Sequence, residues 1–196
     1  METFARCREL FAAAPSALIF PSPGNGSNAR METLEQLDAI RRRHPAPAPA
    51  ESPAEREALA AFGSFFSSFA PDRVERLLAR TYADDVYFND TLKSLHGIEA
   101  LGHYLRESAA AVADCRVNIL EITRSEHDEH LIRWIMMIRF KRFKRGVDTW
   151  TVGMSHLRFN AEGRVVYHQD YWNAAEGLYR HIPLLGGAIA AIQRRL

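Results

Sequence analysis

Between residues 115 and 172 the chain reads four times over as a β-strand. CRVNILEIT (115–123), HLIRWIMMIRF (130–140), DTWTVGMSHLRF (148–159) and GRVVYHQDYW (163–172) are rich in branched and aromatic side chains. SEHDE (125–129), KRFKRG (141–146) and NAEG (160–163) are credible turns between them. In 130–140 the even positions Ile132, Trp134, Met136, Ile138 and Phe140 are all apolar, whereas the odd ones mix Leu131, Ile135 and Met137 with Arg133 and Arg139. One face of this strand therefore packs tightly and the other is partly polar.

Before this block the period is helical. From Glu55, residues Leu59, Phe62, Phe66 and Phe69 recur three and four apart as one apolar stripe. Ala70-Pro71-Asp72 ends that helix and starts another, with Pro71 suited to a first helical turn. The second helix carries Val74, Leu77, Leu78 and Thr81 and is expected to end at Asp84-Asp85, before a short strand VYFND (86–90). Gly97 opens a third, with Ile98, Leu101, Leu105 and Val112 on one side, and Glu99 in its first turn complements the helix dipole. After the last strand, AAEGLYRHIPLLGGAIAAIQRRL gives a short helix, a Pro/Gly break and a final amphipathic helix whose Arg194 and Arg195 suit a helix C-terminus.

Three helices, four long strands and a last helix make an α+β domain, expected over residues 55–196. A long twisted sheet curling around helices forms a cone with an open mouth, and a polar patch on its apolar inner face is where a small molecule would bind. Residues 1–54 are expected to be a tail. PAPAPAESPAE (45–55) reads as a stiff linker, and METLEQLDAIRRRH restarts at Met31, the expected true start. METFARCRELFAAAPSALIF is interrupted by Glu9 and Pro15 and is not read as a signal peptide.

A formal charge of +1 points to neither nucleic acid nor membrane, and no apolar run approaches the roughly 20 residues needed to span a bilayer. Cys7 and Cys115 read as free thiols in a reducing compartment, so a cytoplasmic protein is expected. The eight histidines have no metal-ligand spacing and no glycine-rich phosphate loop is present, so no metal or cofactor is expected. RFKRFKRG (139–146) reads as a solvated hairpin.

VVYHQDYWN (165–173) places Asp170 among aromatics, with His168 two residues away on the same face. A structural ion pair, a ligand contact and a catalytic role all remain open for Asp170, because a buried carboxylate needs a partner in each case. Asp90 is a turn-forming aspartate or a functional one. Trp150, Tyr167, Tyr171 and Trp172 read as core, mouth or dimer surface.

YADDVYFND (82–90), HGIEAL (96–101) and SHLRFNAEGRVVYHQDYWN (155–173) together resemble the NTF2-like superfamily over residues 55–180. That group includes ketosteroid isomerases, limonene-epoxide hydrolases, SnoaL-like cyclases and non-enzymatic binding domains, so the resemblance implies the fold more than one chemistry. Likeness to the isomerases implies a base at Asp90, but puts Phe66 and Ser155 where a tyrosine and an acid should donate to an oxyanion. Losing one such donor costs about 2.7–4 kcal/mol of barrier. Likeness to the epoxide hydrolases implies Asp170 coupled to Arg133, with Ile135 where a second acid belongs, and a water-positioning group at Phe88-Asn89-Asp90 or Tyr87-Phe88-Asn89. A SnoaL-like cyclase needs one carboxylate in an apolar pocket, which Asp90, Asp170 and His168 could supply.

The expected site thus has Asp90 and Asp170 as catalytic carboxylates, with Arg133 paired to Asp170. Tyr87, Asn89, Ser155, His168 and Trp172 join Arg133 around the ligand. The expected function is binding of an apolar small molecule, with isomerase, cyclase or hydrolase chemistry on a carbonyl or epoxide compound. The alternative is a non-catalytic interaction module. A homodimer is expected either way.

Overall fold

The computed structural model of the chain describes residues 29–142, 146–181 and 185–194. Cys7, the tip of the basic hairpin and Arg195 lie outside these residues. Thr33–Leu196 is one compact unit; Met1–Glu32 is another, of which only Ala29–Glu32 are described. Among the described residues no helix is long and apolar enough to cross a membrane.

The chain runs α1 (Ala29–Arg43), α2 (Pro53–Phe66), α3 (Pro71–Thr81), β1 (Tyr82–Asn89), β2 (Ser94–His96), α4 (Ile98–Ala111), β3 (Val112–Arg124), β4 (His130–Phe140), β5 (Thr149–Phe159), β6 (Val165–Trp172), α5 (Ala174–Gly177), a 3₁₀ turn (Tyr179–His181) and α6 (Leu185–Gln193). Local chemistry sets several of these boundaries. The Ser52 hydroxyl accepts from the Glu55 amide at 3.1 Å and Pro53 follows it, a capped helix start worth about 1 kcal/mol. Gly97 precedes α4 at φ 81°, a conformation glycine adopts without the Cβ penalty.

The six strands lie in the order β2-β1-β6-β5-β4-β3. β3 to β6 are antiparallel neighbours, as the short turns between them require. The sheet is nevertheless mixed, because β1 runs parallel to β6. No hairpin joins that pair: α4 and the four strands β2 to β5 intervene, so no turn imposes the antiparallel sense. The result is an α+β fold with a curved, unclosed sheet.

Phe62 and Phe65 of α2, Val74 and Leu78 of α3 and Leu101 and Leu105 of α4 fill the inner face of the sheet. They meet Val86, Phe88, Ile132, Trp134, Leu157 and Phe159 there. Helix α3 stops at Thr81 rather than at the two aspartates. Tyr82 and Ala83 alternate between the buried inner core and the cluster on the outer face, a strand pattern. Val112 opens β3 instead of closing α4.

Of the expected tail and linker before residue 55, residues 29–54 are described, and they contain packed structure. Helix α1 lies within that segment, and its Leu37 and Ile40 are buried against Ala83, Tyr87, Val166 and Tyr167 on the outer face of the sheet. Ala48, in the Pro/Ala run, is also buried, and its carbonyl accepts from Arg124 at 3.1 Å. Two buried aliphatic residues make too narrow a stripe to announce a packed helix. The remaining hold is ionic. Arg41 grips Glu129 with a fork of 2.6 and 2.9 Å, and His156 meets the same carboxylate at 3.0 Å. Arg158 lies 3.7 Å from it and donates to the carbonyls of His44 and His127.

Candidate functional site

The inner face encloses a cavity of about 820 Å³. Phe62, Phe66 and Phe69 form one wall, and Trp134, Met136, Ile138 and Phe140, the even positions of β4, form the facing one. Among the polar side chains on its lining are Asp90, Tyr104, Ser155, His168 and Asp170.

Asp170 is the hub of one hydrogen-bonded chain. Its Oδ1 accepts from the Ser155 hydroxyl at 2.5 Å and lies 2.8 Å from His168 Nε2. His168 Nδ1 is 2.9 Å from the Tyr82 hydroxyl, and the Trp134 indole donates to Ser155 Oγ at 2.9 Å. Burial, and then the negative charge of Asp170, push the Tyr82 phenol far above its ordinary value, so it stays a donor. A Tyr82 hydroxyl that donates to Nδ1 matches the tautomer in which His168 Nε2–H faces Asp170. His168 is 1 % exposed, enclosed edge-on by Phe62, Phe66 and Phe88 and stacked on Tyr82. Among the described residues Asp170 Oδ2 has no hydrogen-bond partner.

Asp90 is held differently. Its Oδ1 accepts from the amides of Leu92 and Lys93 at 3.0 and 2.9 Å, fixing the turn after β1. Its Oδ2 accepts from the Tyr104 hydroxyl at 2.5 Å. Burial first, and the adjacent carboxylate second, raise the Tyr104 phenol, which keeps its proton directed at Asp90. The Trp172 indole donates to the Asp90 carbonyl at 2.7 Å, tying the end of β6 to this turn.

Asp90, Ser155, His168, Asp170 and Trp172 line the cavity; Tyr87, Asn89 and Arg133 do not. Arg133 is exposed on the outer face and pairs with Glu121 at 2.8 Å, so the expected Arg133–Asp170 pair does not form. The cause is alternation: on β4 the inward side chains are Trp134 and Met136, and a one-residue shift moves a side chain to the other face. Tyr87 is buried on the outer face, stacked on Tyr167. Asn89 braces the following turn through Thr91 and Ser94. Of the two alignments of the water-positioning group, Phe88 and Asp90 are the pair that lines the cavity. Cys115 also lines it, but burial pushes its thiol up to about 12, so it stays an unreactive thiol. Among the described residues no three His, Cys, Asp or Glu side chains gather as a metal site.

Residues 62–168 match the SnoaL-like domain family. The chain belongs to that family. No curated protein sequence matches it. Its fold is similar to that of RV0760c from Mycobacterium tuberculosis in complex with estradiol-17beta-hemisuccinate, with 25% identity, 61% of this chain and 95% of that one covered, and a TM-score of 0.50. It is also similar to an M. tuberculosis LEH-like epoxide hydrolase (16% identity, 72% and 99% covered, TM-score 0.53). A third likeness is to a putative SnoaL-like polyketide cyclase from Jannaschia sp. CCS1 (13% identity, 64% and 92% covered, TM-score 0.51).

In this SnoaL-like domain three polar contributors, Tyr82, Tyr104 and Trp134, were not singled out as site residues from sequence. Tyr104 had a signal: it lies three residues from Leu101 and next to Leu105, on the stripe that faces the sheet. Trp134 stood among the inward positions of β4, but its indole nitrogen reads as core until Ser155 is found opposite. Gly153 makes room for that indole. A Cβ there would lie 2.3 Å from the Trp134 ring. Gly153→Ala is accordingly expected to destabilise the protein by about 1–3 kcal/mol through overpacking. Chemical denaturation measures this, and an unchanged midpoint would show that the ring has another place to go.

Proposed function

We propose that this SnoaL-like domain binds an apolar carbonyl or epoxide compound in the inner-face cavity and that Asp170 exchanges a proton with it. The observation that carries this reading is that Asp90 and Asp170 line one and the same apolar cavity, whose size lies within the range of small-molecule sites. The two acids take different roles. Both oxygens of Asp90 are engaged, so it fixes the turn and orients Tyr104. Asp170 keeps an oxygen without a partner among the described residues, which suits a proton acceptor. Phe66 has no donor to offer and the Ser155 hydroxyl is committed to Asp170, which argues against isomerase chemistry that needs two oxyanion donors. A single carboxylate in an apolar pocket fits the cyclase-type or hydrolase-type reading better. The steroid ester bound by RV0760c supports a ligand of similar apolar bulk.

A thermal-shift screen of apolar ketones, lactones and epoxides tests the reading. A ligand at a hundred times its Kd adds about 2.7 kcal/mol, roughly 5–10 °C for a domain of this size. A second reading, a homodimeric interaction module, draws support from the exposed Trp150, Val152 and Tyr171. It predicts instead that no compound stabilises the protein and that Trp150→Glu converts a dimer into a monomer in sedimentation.

A further inference from the structure

The chain turns back toward the cavity as soon as its last strand ends. Asn173 caps the short helix α5 by accepting from the Glu176 amide at 3.2 Å, and the 3₁₀ turn follows. From this segment Leu178 lines the cavity and packs against the cluster of Cys115, Ile138 and Phe140. The His181 ring centre lies 6.2 Å from that of Phe140. Among the described residues, the hydrogen bonds and ion pairs of 174–181 all stay within 173–181, so what ties the segment to the sheet is packing.

That packing is close but poorly satisfied. Gly177 shows the closeness: a Cβ there would lie 2.6 Å from the Trp172 ring and 3.0 Å from Thr151 Cβ. Trp172 cannot give way without loss, because its indole is tied to the Asp90 carbonyl at 2.7 Å. Thr151 and Thr149 pair across β5 with Met136 and Ile138, two cavity-lining residues, so both side chains lie on the cavity face. They are 5% and 6% exposed, and neither hydroxyl has a hydrogen-bond partner among the described residues. His181 Nδ1, on the segment itself, is buried without one as well. Such atoms weaken the packed arrangement and gain water once it opens.

We propose that residues 174–181 are a lid over the Cys115 side of the cavity, closed in this structure and hinged at Asn173, whose opening gives small molecules access there. The hinge follows from the anchoring of Trp172, since movement can begin only beyond it. Opening takes Leu178 off its apolar cluster, which opposes it. It also returns the Thr151 hydroxyl and His181 Nδ1 to water, which offsets part of that loss. A segment held without polar ties over unpaired groups sits at the low end of local stability, where moving elements are found. The lid governs access to the chamber, so it stands whether or not Asp170 exchanges a proton.

Cys115 reports the opening, because it lines the cavity, is 6% exposed and lies in the cluster that Leu178 covers. With Cys7→Ser as the parent it is the only thiol, and methyl methanethiosulfonate labels it at fixed pH, followed by mass spectrometry. Its raised thiol value slows the whole series, so ratios of rates are read. Gly177→Ala should prop the lid and speed labelling about tenfold. Thr151→Val replaces the unpartnered hydroxyl with a methyl group and should slow it about fivefold. Two small changes facing each other across one contact thus act in opposite directions. Labelling through the lid should also be nearly flat in low urea, because little surface is exposed, whereas labelling through global unfolding climbs with the full unfolding slope. If Gly177→Ala does not fold, Leu178→Ala, expected to speed labelling about tenfold, takes its place. Rates within about twofold of the parent in these variants, or the full unfolding slope in the parent, overturn the lid and leave the ligand reading standing. A thermal-shift screen without a hit does the reverse.

Discussion

Asp170→Asn is expected to lower turnover of a stabilising carbonyl or epoxide compound by about 10²–10⁴-fold, the usual contribution of a positioned acid–base group. The substitution is close to isosteric. The amide oxygen can still accept from Ser155 and from His168 Nε2, so the chain from Tyr82 to Trp134 stays connected. What changes is the other position, where an NH₂ replaces an oxygen able to take a proton. Ligand affinity should therefore stay within about threefold, and the loss should fall on kcat rather than KM. Asp90→Asn is the control. It keeps an acceptor for the Leu92 and Lys93 amides but meets the Tyr104 hydroxyl with a donor, so its effect should be mainly on binding. Single-turnover rates of both variants, with unfolding curves to show that each is folded, separate the roles. Should Asp90→Asn abolish turnover and Asp170→Asn leave it intact, the assignment is reversed.

The same side chains show how far sequence reaches and where it stops. Periodicity within one strand is local, so the inward row of β4 could be read directly from alternating apolar residues. Which residues of β6 share a chamber with that row is a question of register between strands, and a single sequence does not carry it. The register shifts between Tyr82 and Tyr87, Ile119 and Glu121, and Arg158 and Phe159 add to the difficulty, because each bulge changes the count on one strand only. Arg133 was paired with Asp170 on likeness alone, and one position of slippage put it on the wrong face. Asp90 and Asp170, each in a distinctive local run, both line the cavity. Helix α1 stayed hidden because polar contacts do much of the work of holding it, and ion pairs across 88 residues leave no period in the sequence.

Glu129→Ala should be among the most destabilising single changes in the protein, at about 3–5 kcal/mol, the usual cost of removing one partner of a buried ion pair. The Glu129 side chain is 3% exposed and serves Arg41, His156 and Arg158 together. Its removal leaves the buried Arg158 guanidinium with only backbone carbonyls and frees Arg41, the ionic clasp of α1. For a domain of this size the loss is a fall in Tm of about 10 °C. Glu129→Gln keeps the shape and one acceptor, so it should recover part of the loss. The charge itself has a pH signature. Burial alone would raise this carboxyl, but the hydrogen bonds from His156 and Arg41 outweigh it and hold it down at about 2, against an ordinary 4.5. Between those two values the unfolded chain binds a proton that the folded one refuses. The contribution, roughly 3 kcal/mol, is therefore complete above the ordinary value and drains away as the pH falls through the window. The wild type's advantage over Glu129→Gln should shrink over that same acid range. Hydrogen exchange locates the effect: residues 33–43 should lose protection in Glu129→Ala before the β3–β6 strands do. Even loss over the whole sheet would mean that Glu129 supports the sheet directly and that α1 is held by its other contacts, Leu37, Ile40 and the Arg43–Asp85 pair among them.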